Sequence, residues 1–184
     1  MAGNHPQYKL LDIWIRLDEG KRNLPYLDPR KIWSVGVGHN MEANPIPLHI
    51  LQVQTPSATP ADCSYPASLV FIRSCAGLTD RQVAMLLAWD LNAVLAWMVK
   101  LFPTWDNYPD PVKAALENMG FNLGPGTFAE FDTFQGYMRQ GNLVAAADDL
   151  AKTEVAVKEL PVRYDRIIQA IRTQTWPAEV LALA

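Results

Sequence analysis

The sequence predicts an α+β fold that is mainly α-helical, and three features indicate it. Apolar residues recur at helical spacing before Glu19 and again after Thr79. Between these segments, Ile32 to Val37 alternates in strand fashion and is bracketed by turn-forming residues, as is typical of a β-hairpin. From Asp110 onwards the pattern is again helical. One small hairpin among several helices gives this fold class.

The first helix leads directly into the hairpin. Its apolar side chains recur at helical spacing after a proline that a first helical turn tolerates: Leu10, Leu11, Trp14 and Leu17. Gly20 supplies the left-handed residue that commonly closes a helix, so Glu19 lies at the helix end. Asp28 then falls in the turn of the hairpin and Ser34 in its second strand. Because a hairpin can fold back over a helix end, these three side chains can meet in one cleft that holds two acids and a hydroxyl.

The segment from Met41 to Gly77 has a different character. Prolines recur in it with Ser and Thr between them, and no periodicity is sustained, which predicts mostly loop with two short helical turns. We favour an insertion that the surface tolerates. The alternative is a loop that rims a cleft and selects the substrate or a partner, since long ordered loops are often functional.

A long helix follows this insertion. Thr79 and Gln82 form a capping-box signature, and apolar residues at three- and four-residue intervals extend the helix to about Leu101. Trp89 and Trp97 on this helix are interpreted as packing residues rather than sugar platforms. The remaining predicted helices start at Asp110-Pro111, lie around 128–140 and 142–152, and end near Thr173.

Composition narrows the function classes. The formal net charge of −3 gives no reason to propose a nucleic acid partner. No apolar run reaches the length of a membrane span, and the first residues lack the basic and apolar regions of a secretory signal. Cys63 and Cys75 are predicted to be free thiols, with a disulfide across their short loop as the alternative. Neither has a histidine at metal-ligand spacing, so we predict no metal and no cofactor.

The hairpin region resembles a known enzyme family. Glu19 is followed at nine residues by Asp28 and at fifteen by the hydroxyl residue Ser34, and the segment closes with Gly36-Val37-Gly38-His39. This pattern resembles the lysozymes of T-even bacteriophages, glycoside hydrolase family 24. The resemblance covers residues 8–39 and 78–176, and it departs at Ser34, where the family usually has Thr. The loss of the methyl group frees the rotamer of the hydroxyl.

The resemblance implies a lysozyme-like fold with two lobes in a single domain, residues 1–184. The N-terminal lobe would span 13–78, including the small β-hairpin and the Pro-rich insertion 41–77. The helical C-terminal lobe would span 79–184, with residues 1–12 packed on it. The long helix that starts after Thr79 would join the two lobes, which implies hinge motion over a cleft between them.

The same resemblance implies roles for several side chains outside the hairpin. Phe121 and Asn122 would face the sugar, although Phe121 could equally be core and Asn122 a helix C-cap; Asn122 also replaces the family's usual Gln. Gly38 would let the backbone approach a sugar or pack closely. Counted back from Trp176, Arg163 would meet Glu19 and Arg166 would meet Asp18. His39 is interpreted as a structural ion pair or hydrogen bond rather than a catalytic group.

The chemistry of glycoside cleavage gives each acid a role. One carboxylic acid protonates the leaving oxygen and a carboxylate acts from the other side, so Glu19 is the candidate acid and Asp28 the candidate base. With Ser34 helping to hold a water, this predicts inversion and a carboxyl separation of roughly 6.5–9.5 Å. Burial would keep Glu19 protonated whereas Arg163 would favour its carboxylate. We therefore expect Arg163 mainly to orient Glu19, while substrate binding expels water.

The function that the resemblance implies is that of a lysozyme. Such a muramidase would hydrolyse the β-1,4 bond between N-acetylmuramic acid and N-acetylglucosamine in peptidoglycan. We expect a monomeric phage endolysin, made in the host cytoplasm and acting on the wall in the periplasm after holin-type release. One alternative is a lytic transglycosylase, against which Asp28 argues because that reaction needs no base carboxylate. Another is a wall-binding or virion protein without turnover, against which the retention of both acids argues.

Overall fold

The computed structural model describes residues 6–184, and side chains from residue 9 onwards. The first five residues, part of the segment in which we predict no secretory signal, lie outside the described range. Within it the chain is mainly helical and carries one small antiparallel sheet. The prediction of an α+β fold that is mainly α is therefore confirmed.

Twelve described segments form the regular structure, apart from short 3-10 turns and one π-helical segment, Val155–Glu159. The strands are β1 (Arg22–Leu27), β2 (Trp33–Gly36) and β3 (His39–Asn40). The first four helices are α1 (Pro6–Glu19), α2 (Leu48–Leu51), α3 (Ala67–Ser74) and α4 (Asp80–Leu101). Those that follow are α5 (Asp110–Phe128), α6 (Asp132–Arg139), α7 (Leu143–Leu150), α8 (Pro161–Thr173) and α9 (Ala178–Ala182).

The chain divides into two compact units. The sheet unit comprises Glu19–Asp90, and the helical unit comprises Leu91–Ala184 with the described part of Met1–Asp18. These borders differ from the lobe borders predicted after residues 12 and 78. Each observed border falls inside a helix, α1 or α4, so the helical pattern of the sequence continues across it.

The sheet unit is built on an antiparallel sheet in the order β1-β2-β3. Tyr26 lies directly opposite Ser34, and Leu27 lies opposite Trp33. The third strand was not predicted, because two residues are too few to show an alternating pattern. As predicted, Gly20 adopts a left-handed conformation after α1, with φ of 73°.

The insertion 41–77 contains α2 and α3 near the two predicted helical turns, with a 3-10 turn between them. Its end is fixed against the start of β1, since the Asn23 carbonyl accepts the Leu78 N–H at 2.8 Å. A Cβ atom at Gly77 would lie 2.9 Å from that same carbonyl oxygen. Glycine is therefore required where the insertion closes on the sheet.

The helical unit is centred on α5. From Ala114 to Gly120 each residue of this helix is buried, so the helix has no solvent face along that stretch. Gly120 allows α4 to approach closely, since a Cβ there would lie 3.0 Å from atoms of both Trp97 and Val94. The helix is interrupted at Gly124, whose φ of 69° and ψ of 169° are not helical.

The long helix α4 has the predicted extent, and its two tryptophans differ in exposure. Trp97 packs edge-on against Phe128, whereas Trp89 is 51% exposed. The Trp89 ring meets the His49 ring edge-on, with 5.9 Å between their centroids. Among the described residues α4 is the one helix that passes a test of length and composition for a membrane span, with 22 residues and a mean hydropathy of 1.5 over an 18-residue window. That is weak evidence for a span, because core helices of soluble proteins pass the same test.

Candidate active site

Both candidate acids of the sheet unit, Glu19 and Asp28, affect the pKa of the Tyr26 hydroxyl. Burial raises the pKa of Tyr26, and the charges of Glu19 and Asp28 raise it further, so both carboxylates lie near this phenol. The guanidinium of Arg22 and a hydrogen bond from the Gly38 backbone oppose the increase. Asp28 follows Tyr26 by two residues and comes directly after the end of β1.

Asp28 is held by the loop that joins β1 and β2. Its Oδ1 accepts the backbone N–H of Ile32 at 2.8 Å, and its own N–H donates to the Ile32 carbonyl at 3.0 Å. Its Oδ2 lies 3.7 Å from Nε of Arg30, whose side chain is largely exposed. One carboxylate oxygen is therefore fixed by the backbone, while the other faces a flexible cation.

Ser34 lies across the strand pair from Tyr26 and is buried. Its Oγ donates to the Ile32 carbonyl at 3.5 Å, which is long for a hydroxyl donor. Ser34 and Asp28 therefore share a partner residue, Ile32, which the hydroxyl contacts through its carbonyl and the carboxylate through its N–H. The weak bond leaves the hydroxyl able to turn toward another acceptor or donor.

The turn after β2 contains Gly38 and leads to His39. Gly38 adopts a left-handed conformation with φ of 70°, which favours glycine at this position. The buried ring of His39 has Nδ1 2.9 Å from the Asp90 carboxylate and Nε2 3.0 Å from the Asn44 carbonyl oxygen. Both ring nitrogens face acceptors, so only the doubly protonated ring can donate to both. His39 thus has the surroundings of a structural ion pair.

In the helical unit, Asp18 is the acceptor of a buried polar network. Arg166 donates to it at 2.5 Å and Asn118 at 2.9 Å, and Nε of Arg163 lies 3.7 Å away. Arg163 in turn donates to the Asn118 side chain at 2.8 Å. Burial raises the pKa of Asp18 and outweighs the opposing effects of Arg163, Asn118 and Arg166. The pairing of Arg163 with Glu19 stays a prediction.

Phe121 and Asn122 lie half-buried in α5. The helix is interrupted two residues later at Gly124 and ends at Phe128, so Asn122 is not its C-cap. The Tyr164 hydroxyl donates to Oδ1 of Asn122 at 3.5 Å, which leaves the NH₂ group of Asn122 to donate elsewhere. The half-exposed ring of Phe121 is compatible with contact to a sugar.

Sequence reasoning missed two residues at these positions. Tyr26 could have been found as the aromatic residue two positions before Asp28 at the end of β1. Asn118 stands at the start of the segment that resembles the lysozymes, but nothing in its spacing predicts hydrogen bonds to residues 100 positions before it and 45 after it. Such contacts depend on helix packing.

Among residues 6–184 no group of three or more His, Cys, Asp or Glu side chains is arranged to hold a metal ion. Cys63 and Cys75 are free thiols, in agreement with the favoured prediction. Burial raises the pKa of the Cys63 thiol, and the charge of Asp62 raises it further. The thiol is therefore less readily ionised to the reactive thiolate. A search of the sequence against models of known protein families finds no match.

Proposed function

We propose that this protein is a muramidase that hydrolyses the β-1,4 bond between N-acetylmuramic acid and N-acetylglucosamine in peptidoglycan. The observation that carries the proposal is that Glu19, at the end of α1, and Asp28, in the β1–β2 loop, both lie near enough to Tyr26 for their charges to raise its pKa. Two carboxyl groups near one point, with a serine hydroxyl on the opposing strand, are what acid/base cleavage of a glycosidic bond needs.

In the proposed mechanism Glu19 protonates the oxygen of the leaving sugar. The residue is the last of α1, and its neighbour Asp18 is held by Arg166 and Asn118. These hydrogen bonds to Asp18 fix the backbone at the end of α1. The backbone of Glu19, the next residue, therefore has a defined position. Restricting the position of the proton donor lowers the entropic cost of reaching the transition state.

Asp28 acts as the base that activates a water molecule. Its Oδ1 is occupied by the Ile32 N–H, so Oδ2 is the oxygen that would accept the proton of water. The Ser34 hydroxyl, whose bond to the Ile32 carbonyl is long, would hold the same water. Attack of that water from the face opposite the leaving group gives inversion of configuration at the anomeric carbon.

We propose sugar-binding roles for Gly38 of the sheet unit and for Phe121 and Asn122 of the helical unit. Gly38 would bring backbone atoms to the substrate, while Phe121 would offer an apolar ring face and Asn122 its NH₂ group. We propose that the protein serves as a phage endolysin that reaches the periplasm through a holin-type lesion. Lytic transglycosylase activity is the runner-up, and the presence of Asp28 as a second acid favours hydrolysis over it.

The test is hydrolysis of purified peptidoglycan, followed as loss of turbidity and by the reducing ends released. We expect wild type to clear the suspension, Glu19→Gln to lose at least 100-fold and Asp28→Asn about 100-fold, as for removal of a general acid or base. Glu130→Gln, an exposed carboxyl in the helical unit, is the matched control and should retain full activity.

Product analysis separates the alternatives. New reducing ends with inverted configuration support the proposed hydrolase, whereas anhydro-sugar products would identify a transglycosylase. Failure of folded wild type to release any fragment from peptidoglycan would show that the protein is no wall hydrolase. Equal activity of Glu19→Gln and wild type would exclude Glu19 as the acid.

A further inference from the structure

Both ends of the insertion 41–77 contact one residue of β2, Trp33. At the start of the insertion, the Met41 N–H donates to the Trp33 carbonyl at 2.9 Å, and Oε1 of Glu42 accepts the Trp33 N–H at 2.8 Å. Near the end of the insertion, the guanidinium carbon of Arg73 lies 4.7 Å from the centroid of the Trp33 ring, within the range of a cation–π interaction. The insertion therefore holds both the backbone and the ring of Trp33.

Trp33 is the neighbour of the residue that orients the proposed base. This residue, Ile32, donates its N–H to Oδ1 of Asp28 at 2.8 Å, and its carbonyl accepts the Ser34 hydroxyl at 3.5 Å. Trp33 also pairs with Leu27, the residue directly before Asp28. A displacement of Trp33 would therefore move the Ile32 backbone and disturb both side chains that it contacts.

Glu42 is presented to β2 by the turn in which it lies. Oδ1 of Asn40 accepts the N–H groups of Glu42 and Ala43, each at 3.0 Å. Asn40 is itself paired with Ser34 in the sheet. The backbone of Glu42 is therefore fixed relative to β2, and its carboxylate meets the first N–H of that strand.

Arg73 lies in the last turn of α3, and the chain that follows this helix is fixed to β1. The Gly77 N–H donates to the Ile72 carbonyl at 2.9 Å, which closes the helix. Directly after the insertion, the Asn23 side chain of β1 donates to the Leu78 carbonyl at 2.6 Å. Because α3 is fixed in this way, the guanidinium group reaches the sheet from a defined position.

We propose that Glu42 and Arg73 are positioning residues, which hold Trp33 from the two ends of the insertion. Through it they fix the orientation of the proposed base, Asp28, and of the Ser34 hydroxyl. This inference rests on the proposed function, and it gives the insertion a role in catalysis without contact to the substrate. A base and a hydroxyl that are fixed before the substrate binds do not have to be ordered in the transition state.

Two substitutions of Glu42 test the contact at the start of the insertion. Alanine removes the acceptor of the Trp33 N–H, so kcat on soluble peptidoglycan fragments should fall about tenfold, with little change in KM. Glutamine retains an oxygen that can accept the same N–H, so Glu42→Gln should restore kcat to near the wild-type value. Glu130→Ala, at an exposed carboxyl of the helical unit, is the matched control and should change neither quantity.

Two substitutions of Arg73 test the contact at the other end. Arg73→Ala should lower kcat roughly threefold, the size expected for losing an exposed cation–π interaction, again with little change in KM. Arg73→Lys keeps a cation over the ring and should retain more activity than the alanine variant. Arg81→Ala, at an exposed cation on α4 of the same unit, is the control and should match wild type.

Amide hydrogen exchange measures the proposed displacement without depending on turnover. The Ile32 N–H, which donates to Asp28, should exchange faster in Glu42→Ala than in wild type. The Val83 N–H, which donates to the Thr79 carbonyl at the start of α4, should exchange at the wild-type rate. Equal acceleration at both positions would indicate general destabilisation and would overturn the inference.

The kinetic outcomes separate this inference from the proposed function. If wild type is active and Glu19→Gln is not, yet Glu42→Ala and Arg73→Ala match wild type in kcat, the inference alone is overturned. A loss in Glu42→Gln as large as that in Glu42→Ala would also overturn it, since the acceptor would then not matter. An inactive wild type would overturn the proposed function and the positioning role with it.

Discussion

Glu117 is an ionisable side chain within the fully buried stretch of α5. The residue is 1% exposed, and its Oε2 has no hydrogen-bond partner. Burial raises its pKa from 4.5 to about 8, and Lys113, one helical turn earlier, opposes the shift only in part. At neutral pH the folded protein therefore carries this carboxyl mainly in its neutral form.

This shift predicts a stability that declines toward alkaline pH. Between pH 4.5 and pH 8 the unfolded chain has lost the Glu117 proton while the folded protein still binds it, so folding is favoured at the acidic end. The free energy of unfolding should decrease by on the order of 4 kcal/mol across that window. Glu117→Gln removes the titration, so urea unfolding at pH 5 and pH 8 should differ much less in this variant than in wild type. Glu130→Gln, at an exposed site, should retain the wild-type difference; an unchanged difference in Glu117→Gln would contradict the prediction.

Residues differ in how far local sequence predicts their surroundings. The spacing of Glu19, Asp28 and Ser34 could be read from the chain because a helix end and a hairpin are local structures. Glu117 could not be predicted as buried, since helical spacing places it on the other side of α5 from Val112 and Met119, and its burial depends on elements that surround the helix completely. Trp89 was predicted to pack, but its partner, the His49 ring, and its 51% exposure could not be read from helical spacing.

At the scale of elements, the start of α4 is fixed by side chains as well as by backbone. Oε1 of Gln82 accepts the Thr79 N–H at 2.9 Å, and the Thr79 hydroxyl accepts the Gln82 N–H at 3.3 Å, as the capping-box pattern predicts. Gln82 is buried, and its Nε2 also donates to the Ile50 carbonyl of α2 at 2.9 Å. The cap therefore connects the insertion to the long helix.

This double role predicts unequal costs for the two cap residues. Thr79→Ala should lower the free energy of unfolding by about 1 kcal/mol, the usual cost of losing a helix cap. Gln82→Ala should lower it by about 3 kcal/mol, since the Ile50 carbonyl and the Thr79 N–H both lose a partner. Urea unfolding of the two variants measures the difference. A cost for Gln82→Ala no larger than that for Thr79→Ala would mean that the bond to α2 contributes nothing.

Elements with local signals were predicted better than elements without them. The ends of α1 and α4 follow from a glycine and a capping box, and both were predicted within about two residues. The π-helical segment Val155–Glu159 and the short helix α9 have no such signals, and neither was predicted. The β3 strand depends on pairing with β2, which sequence periodicity does not report.

At the scale of the whole molecule, the polar network around Asp18 joins distant parts of the chain. Its members belong to α1, α5 and α8, and the bond from Arg166 to Asp18 spans 148 residues of sequence. Only the resemblance predicted that Arg166 would meet Asp18, because no local pattern relates residues so far apart. The inclusion of Asn118 was not predicted at all, since it depends on how α5 packs in the helical unit.

Because this network is buried, its loss should lower the free energy of unfolding strongly. The side chain of Asp18 is fully buried and those of Arg163 and Arg166 nearly so, and removing the carboxylate leaves the two guanidinium groups without it. Asp18→Ala should therefore lower the free energy of unfolding by roughly 3–5 kcal/mol. Arg172→Ala, which breaks an exposed ion pair with Asp148 from the same helix α8, should change it by less than about 1 kcal/mol.

A double-mutant cycle distinguishes the network from simple loss of packing. If Asp18 and Arg166 stabilise the protein through each other, the variant with Asp18→Ala and Arg166→Ala should lose at least about 1 kcal/mol less than the sum of the single losses. Simple packing losses would add, because each truncation would then act independently. Urea unfolding of the four proteins measures the coupling, and strict additivity would contradict a paired role. A coupled pair would mean that Arg166, in α8, helps to fix the end of α1, where the proposed acid Glu19 lies.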